Sequence, residues 1–351
     1  MKKSNYLMML VAGMMLFSVT GYAMSTDATP VHRPLLEEYT GTWCGWCVRG
    51  LVGMELCSET FGDNFIGVAY HYGDAMQTIN PNAYPNDVGG FPTAFLERAY
   101  DIDPYYGFGS TSAGILNDLS DCAAQAVTVD LAINAQWTSE AKTEISVEVS
   151  TYSTVSTTNG RYALEIMLVA DDLYGSGSSW NQYNYYSGYT QVANDPYLGP
   201  YVRKSSTLTG IHFNDVLLAT SGVIEGSVPR NIVAYEDYIY NYNITLSTLP
   251  VPSLVQNKDN LRVVVIIVDV KNGKAVNANK GYISDYVEPV VVVPGDVNED
   301  GLVNITDVTV LIDYLLYGDS ISINFANADM DGNETINITD VTALIDYLLF
   351  H

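Results

Sequence analysis

The feature that most constrains this chain is a duplication near its C-terminal end. Asn304–Leu316 reads NITDVTVLIDYLL and Asn337–Leu349 reads NITDVTALIDYLL, so the copies differ only at Val310/Ala343 and lie 33 residues apart. Two copies are too few for a solenoid and make a paired module instead. Each copy closes a run of oxygen-bearing residues. In the first, Asp296, Asn298, Asp300, Asn304 and Asp307 fall at positions 1, 3, 5, 9 and 12, with the Leu302 carbonyl at position 7. In the second, Asp329, Asp331, Asn333, Asn337 and Asp340 fall at the same positions, with Thr335 at position 7. This is calcium-loop spacing, closed by Asp rather than Glu. A helix is expected after each loop. In the first it sets Val308, Leu311, Ile312, Leu315 and Leu316 on one face, a stripe that a merely solvated acidic tail does not require. In the second loop Glu334 takes position 6, where the sharp turn favours glycine, and Gly332 moves to position 4. A non-glycine residue at positive φ costs ~1–2 kcal/mol, so two calcium sites are expected, the second weaker.

The charge supports a metal. The 351 residues hold 40 Asp and Glu against 15 Lys and Arg, a net charge of −25, and residues 295–351 hold 11 of those acids without one base. Such a balance excludes nucleic acid as a partner, because phosphate binding needs basic patches that displace counterions. It also disfavours anionic lipid.

The duplicated loop-plus-helix pattern, with no helix before each loop, resembles a type I dockerin over residues 295–351. That resemblance implies a calcium-folded α-helical module that clips its parent to a cohesin-like partner on a scaffold or cell surface. It also implies partner contacts at Ile305, Thr306, Ile338 and Thr339, whose identity in both repeats allows two binding orientations. The chain departs from cellulosomal dockerins in carrying Asp313, Tyr317 and Asp346 where basic residues are usual.

The other end of the chain carries an address. Lys2 and Lys3 precede an apolar run from Leu7 to Val19, and the small residues Gly21 and Ala23 follow. This is a secretory signal peptide over residues 1–23. The run is shorter than the roughly 20 apolar residues that span a bilayer, so no transmembrane span is expected in the mature form. The protein is expected to be secreted, or associated with the cell surface or outer membrane, where disulfides persist.

Between the two ends lie two textures. Residues 30–126 alternate short strands (Leu35–Tyr39, Phe65–His71, Phe91–Glu97) with helices (Gly45–Phe61, Ser110–Ala126), an α/β pattern. Residues 127–288 show period-two alternation at Val127, Val129, Leu131, Ile133 and again at Ile145, Val147, Val149. Strands at Tyr162–Ala170, Tyr238–Leu246 and Leu261–Val270 follow, predicting an all-β sandwich. Residues 289–294 are a short linker, and the fold class is α+β multidomain. A loop over Tyr174–Tyr201, rich in Tyr, Gly, Ser and Asn, either offers flat rings to a sugar or protein or folds over its own sandwich. No Ser-His-Asp set and no separable carboxylate pair supports a hydrolase.

Cys44-Gly45-Trp46-Cys47 ends a strand and opens a helix. Free amides and the dipole at a helix N-terminus stabilise a thiolate on Cys44, and Cys47 stands one turn on, placed to resolve a mixed disulfide. Gly90-Phe91-Pro92-Thr93 opens a later strand, where a cis Phe91–Pro92 bond leaves a backbone edge for a substrate strand. Arg49 either favours the thiolate or is a surface charge, and His71 is either near the site or an ordinary strand-end residue. Cys57 lies about three turns past Cys47, too far along one helix for a four-cysteine zinc site. Cys57 and Cys122 form a disulfide between helices or stay buried thiols.

These residues resemble a thioredoxin-fold domain, matched by Trp-Cys-x-x-Cys after a strand and x-Pro-Thr before a later one. The resemblance implies that Glu38 takes the proton of Cys47, that Pro92 supports substrate backbone, and that the substrate is a protein disulfide. Trp46 stands where Pro or His is usual. GTWCGWC, GGFPT, the following β region and Val263–Ala278 together look like a secreted outer-membrane-protein family with a thioredoxin-like domain before a β-sandwich. Two readings stand: a tethered thiol-disulfide oxidoreductase, or a non-enzymatic surface, adhesion or polysaccharide-associated protein with a structural CxxC disulfide.

Overall fold

The computed structural model describes residues 29–288, 292–318 and 321–350. The expected signal peptide, residues 1–23, and part of the expected linker, residues 289–291, lie outside these. The chain divides at Val287/Glu288 into two compact units, and its class is α+β, with a large sheet and a C-terminal helical region.

The larger unit opens with β1 (Leu35–Thr40), whose six residues are all buried. A 3-10 turn at Gly45–Cys47 leads into α1 (Val48–Phe61), which returns the chain to β2 (Ile66–His71), parallel to β1. Parallel neighbours need such a crossover. β3 (Thr93–Leu96) pairs antiparallel with β1, and β4 (Tyr100–Ile102) pairs with β3. α2 (Ile115–Ala123) joins α1 over this part of the sheet, burying Leu36, Met54, Phe65, Leu96, Ile115 and Leu119 together.

The β-rich stretch supplies β5 (Val129–Trp137), β6 (Glu144–Ser153), β7 (Tyr162–Ala170), the two-residue strands β8 (Gln182–Tyr183) and β9 (Thr207–Leu208), and β10 (Val216–Ile224). A short helix, α3 (Gly199–Val202), interrupts it before β11 (Tyr238–Thr245), β12 (Leu261–Asp269) and β13 (Lys274–Ser284). Among the described residues eleven strands join one ladder, in the order β11-β6-β5-β13-β12-β7-β10-β2-β1-β3-β4. β13 turns that ladder over, pairing with β12 along its length and with β5 only through Ile283 and Ser284. Trp137, Ile145, Val147 and Val149 therefore share a core with Leu164, Ile166, Val263 and Val265.

The two stretches that the sequence separates at 126/127 are thus joined. β10 meets β2 at Val216 and Ala69. Arg98 reaches Glu37 on β1 (2.8 and 2.9 Å) and Glu165 on β7 (2.6 Å), all three buried. Asn277 on β13 donates to the carbonyls of Val31 and Val129, both at 3.0 Å.

The smaller unit holds α4 (Ile305–Tyr317), the four-residue α5 (Phe325–Ala328) and α6 (Ile338–Phe350). Asn304 and Asp307 form a capping box at the start of α4, which satisfies two free amides reciprocally. The core is small: Val297, Val308, Leu311, Ala328, Val341 and Leu344. Of the expected apolar stripe only Val308 and Leu311 are buried, whereas Ile312, Leu315 and Leu316 are exposed, Leu316 most of all at 68 %. A residue five positions past Leu311 is rotated about 140° from it at 3.6 residues per turn.

Candidate functional site

Cys44 and Cys47 are joined as a disulfide at the entry to α1. Cys44 precedes the 3-10 turn, and both sulfur residues are buried. Glu38 on β1 lies beneath the same helix. Its Oε1 sits so close to Gly50 that a Cβ there would collide with it. That oxygen is buried without a hydrogen-bond partner, and burial pushes the Glu38 carboxyl up to about 8 against an opposing hydrogen bond from Thr40. A cavity of about 520 Å³ reaches Glu38, lined also by Glu59, His71, Asp215 and Tyr282.

The Phe91–Pro92 peptide is cis. Phe91 stacks on Tyr72 and meets Trp43 edge-on, at centroid distances of 5.7 and 5.6 Å. Those aromatics bring the segment before β3 beside the residue preceding Cys44. Arg49 is paired with Asp103 at 2.6 Å, so its charge is already matched. His71 is buried and contacts Asp74 at 2.8 Å through Nδ1, and Asp74 also accepts from the Thr42 amide at 2.9 Å. Asp74 therefore anchors the loop that delivers Cys44, a role no sequence signal pointed to. Cys57 and Cys122 are free buried thiols, and burial pushes both up.

The tyrosine-rich loop folds over the cysteine turn. Tyr183 donates its amide to the Thr42 carbonyl (2.7 Å), Tyr185 to the Gly45 carbonyl (3.0 Å), and Gln182 Nε2 to the Cys44 carbonyl (2.8 Å). Trp46 is met edge-on by Tyr185, Tyr186 and Tyr189. Gly45 has no room for a side chain, because the Tyr185 ring occupies that space. The loop does bury rings, as Tyr186 shows, but against the CxxC turn.

In the smaller unit the loop acids bond to the backbone of their own loops. Asp307 and Asp340 are fully buried, each accepting from backbone amides of its own loop: Asn298 and Asn304 for Asp307, Met330 and Asn337 for Asp340. Asp296 accepts from the Asp300 and Gly301 amides, and Asp329 from those of Gly332, Asn333 and Glu334. Oxygens of Asp329, Asp331 and Asp340 lie within 4.8 Å of one another. Carboxylates so close, one of them buried, fit a hard divalent cation.

The strain expected of Glu334 alone is shared by both loops. Glu334 has φ 61° and Gly332 φ 71°, but in the first loop Glu299 has φ 59° and Gly301 φ 82°. Each loop needs two left-handed residues, at positions 4 and 6, and each fills them with one Glu and one Gly in opposite order. That argument for a weaker second site therefore falls. Ile305 and Ile338 are 68 % and 67 % exposed, and Thr306 and Thr339 are exposed beside them.

Residues 294–349 match the dockerin type I domain family. This segment is a type I dockerin. Dockerin domains bind calcium and support calcium-dependent attachment to a cohesin partner, in proteins that are typically secreted or at the cell surface. Among the described residues no helix is long and apolar enough to cross a membrane. The chain resembles in fold HBP35 of Porphyromonas gingivalis, at 12% identity and a TM-score of 0.50, covering 76% of this chain and 82% of that one. A domain of the outer membrane lipoprotein Omp28 from the same organism is also similar, at 13% identity and a TM-score of 0.25, covering 46% of this chain and 92% of that one. No curated protein matches the chain.

Proposed function

We propose that the chain is an exported thiol-disulfide exchange protein held on an assembly by its dockerin. In this reading residues 1–23 are the signal peptide, 30–126 a thioredoxin-like domain, 127–288 a β-sandwich fused to it and 289–294 the linker. The observation that carries the redox reading is the Cys44–Cys47 disulfide at the entry to α1, above a buried carboxyl with an unpartnered oxygen. In the reduced protein the Cys44 thiolate attacks a substrate disulfide, forming a mixed disulfide and releasing one substrate thiolate. Cys47 gives its proton to the ionised form of Glu38 and attacks Cys44, which expels the second substrate thiolate and restores the Cys44–Cys47 bond. Pro92 supports the substrate backbone. In the dockerin, Asp296, Asn298, Asp300, Leu302, Asn304 and Asp307 hold one calcium ion and Asp329, Asp331, Asn333, Thr335, Asn337 and Asp340 the other. The exposed Ile305, Thr306, Ile338 and Thr339 contact the cohesin.

A second reading is favoured by the loop over the turn, which covers the disulfide as a structural bond would be covered. Equilibration of the mature protein in glutathione buffers separates the two, with Cys44→Ser as control. A potential between about −120 and −270 mV matches thiol-disulfide catalysts, whereas one below roughly −300 mV marks a structural bond and sinks the exchange reading.

A further inference from the structure

Away from the cysteine turn, three chemically different donors meet beneath the start of the larger unit. His32 lies on the extended segment before β1, Glu97 directly follows β3, and Cys122 is in the last turn of α2. All three are buried. His32 Nε2 is 3.6 Å from Glu97 Oε1 and 3.9 Å from Cys122 Sγ, and Cys122 Sγ is 3.6 Å from the same Glu97 oxygen.

The His32–Glu97 separation is too long for good nitrogen–oxygen hydrogen bonding, which prefers about 2.7–3.2 Å, while the two sulfur separations are ones at which a thiol also hydrogen-bonds. All three suit a shared ion. Tetrahedral zinc bonded at about 2.3 Å to sulfur and 2.0–2.2 Å to nitrogen and oxygen places its donors about 3.4–3.6 Å apart. The observed triangle is one face of that tetrahedron, slightly open on the sulfur–nitrogen edge. Two further observations point the same way. Glu97 Oε2 is buried with no hydrogen-bond partner, an oxygen that a cation would satisfy. Glu97 Oε1 accepts the Leu35 amide at 2.9 Å, the kind of backbone anchor that orients a ligating carboxylate.

We infer that His32, Glu97 and Cys122 form a site for a borderline-soft divalent cation, zinc, that pins the start of the mature chain to α2 and the end of β3. Binding releases one proton, because Cys122 ligates as thiolate while His32 ligates neutral. One thiolate and one carboxylate then offset the two charges of the ion, leaving a buried assembly with no net charge. A mixed sulfur, nitrogen and oxygen donor set selects zinc over the calcium that the all-oxygen dockerin loops take.

Cobalt is the probe, because only a thiolate ligand gives it an intense near-ultraviolet charge-transfer band. The full mature chain, produced with cobalt present during folding and kept oxidised at Cys44–Cys47, is examined with calcium saturating the dockerin. One cobalt per chain with that band, displaced by one equivalent of zinc, is expected. Cys122→Ser and His32→Ala should lose it, and Cys57→Ser should keep it. Because His32 lies on an extended segment outside the sheet, His32→Ala is expected to fold, which circular dichroism checks. No band in folded wild-type protein, or a band that survives Cys122→Ser, overturns the site.

Discussion

The dockerin and the cysteine turn are both sites built on helix entries, yet they assemble in opposite ways. Each dockerin loop spans twelve consecutive residues and closes on the aspartate in the first turn of its own helix, Asp307 or Asp340. The cysteine turn draws on Glu38 from β1, Asp74 after β2, Phe91 before β3 and Gln182–Tyr189 from a stretch some 140 residues on in the sequence. The first is local and rests on a small core, whereas the second is assembled over a large one. Their sensitivities should therefore separate cleanly.

Removing calcium gives the largest expected effect. The smaller unit buries only a handful of apolar side chains, and domains of this size commonly need a metal or an equivalent staple. Without the cation, Asp329, Asp331 and Asp340 repel within 4.8 Å, and 11 acids of residues 295–351 face no base. Chelation should abolish the helicity of α4 and α6 and all cohesin binding, while the larger unit keeps its thermal transition. Circular dichroism and calorimetry on the whole chain check this, and a dockerin that keeps its helices in chelator would break the comparison.

A rise in pH from 4.5 to about 8 should act instead on the larger unit. The Glu38 carboxyl is raised from 4.5 to about 8 by burial, so the folded state keeps a proton that the unfolded chain gives up. Both states are protonated below the ordinary value. Between 4.5 and 8 the unfolded state binds fewer protons, so stability falls as pH rises and levels off above 8. The total is up to about 5 kcal/mol. Glu38→Gln should flatten that slope in urea titrations of the larger unit, and an unchanged slope would place the titration elsewhere.

How much could be read in advance follows the same division. The dockerin was legible because calcium ligation and helix periodicity are short-range patterns. β1, α1, β7 and β12 were legible too, as runs of apolar residues with clear ends. The joining of the two stretches was not, because it runs through β10, whose register shifts between Leu217 and Ala219 and between Thr220 and Val223. Such bulges break the period-two alternation that marks a strand. β13 was hidden for a related reason, since Asn277, Asn279 and Lys280 interrupt it where side chains bond to neighbouring backbone. The covering of Cys44 by the tyrosine loop was illegible because backbone pairing across such a distance leaves no trace in composition.

That covering makes a smaller prediction. Gln182→Ala removes one hydrogen bond to the Cys44 carbonyl, worth about 1 kcal/mol, and Tyr185→Ala removes the ring against Gly45. Each should speed reduction of the disulfide by dithiothreitol about fivefold. Tyr174→Ala, whose ring stacks on His212 instead, should leave the rate alone. Equal rates in all three would mean that the loop does not limit access.

The smallest effect tests the two loops against each other. Glu334→Gly relieves a left-handed residue that costs ~1–2 kcal/mol, so calcium should bind the second loop about fivefold or more tightly. Glu299→Gly relieves the same strain in the first loop but also removes the acceptor for Asn324 Nδ2 at 2.6 Å. A charge-assisted bond of that kind is worth about as much as the strain, so its affinity should hardly move. Isothermal titration of both variants reads the difference. Equal gains would mean that the Asn324 contact contributes nothing and that position 4 and position 6 are interchangeable in this pair of loops.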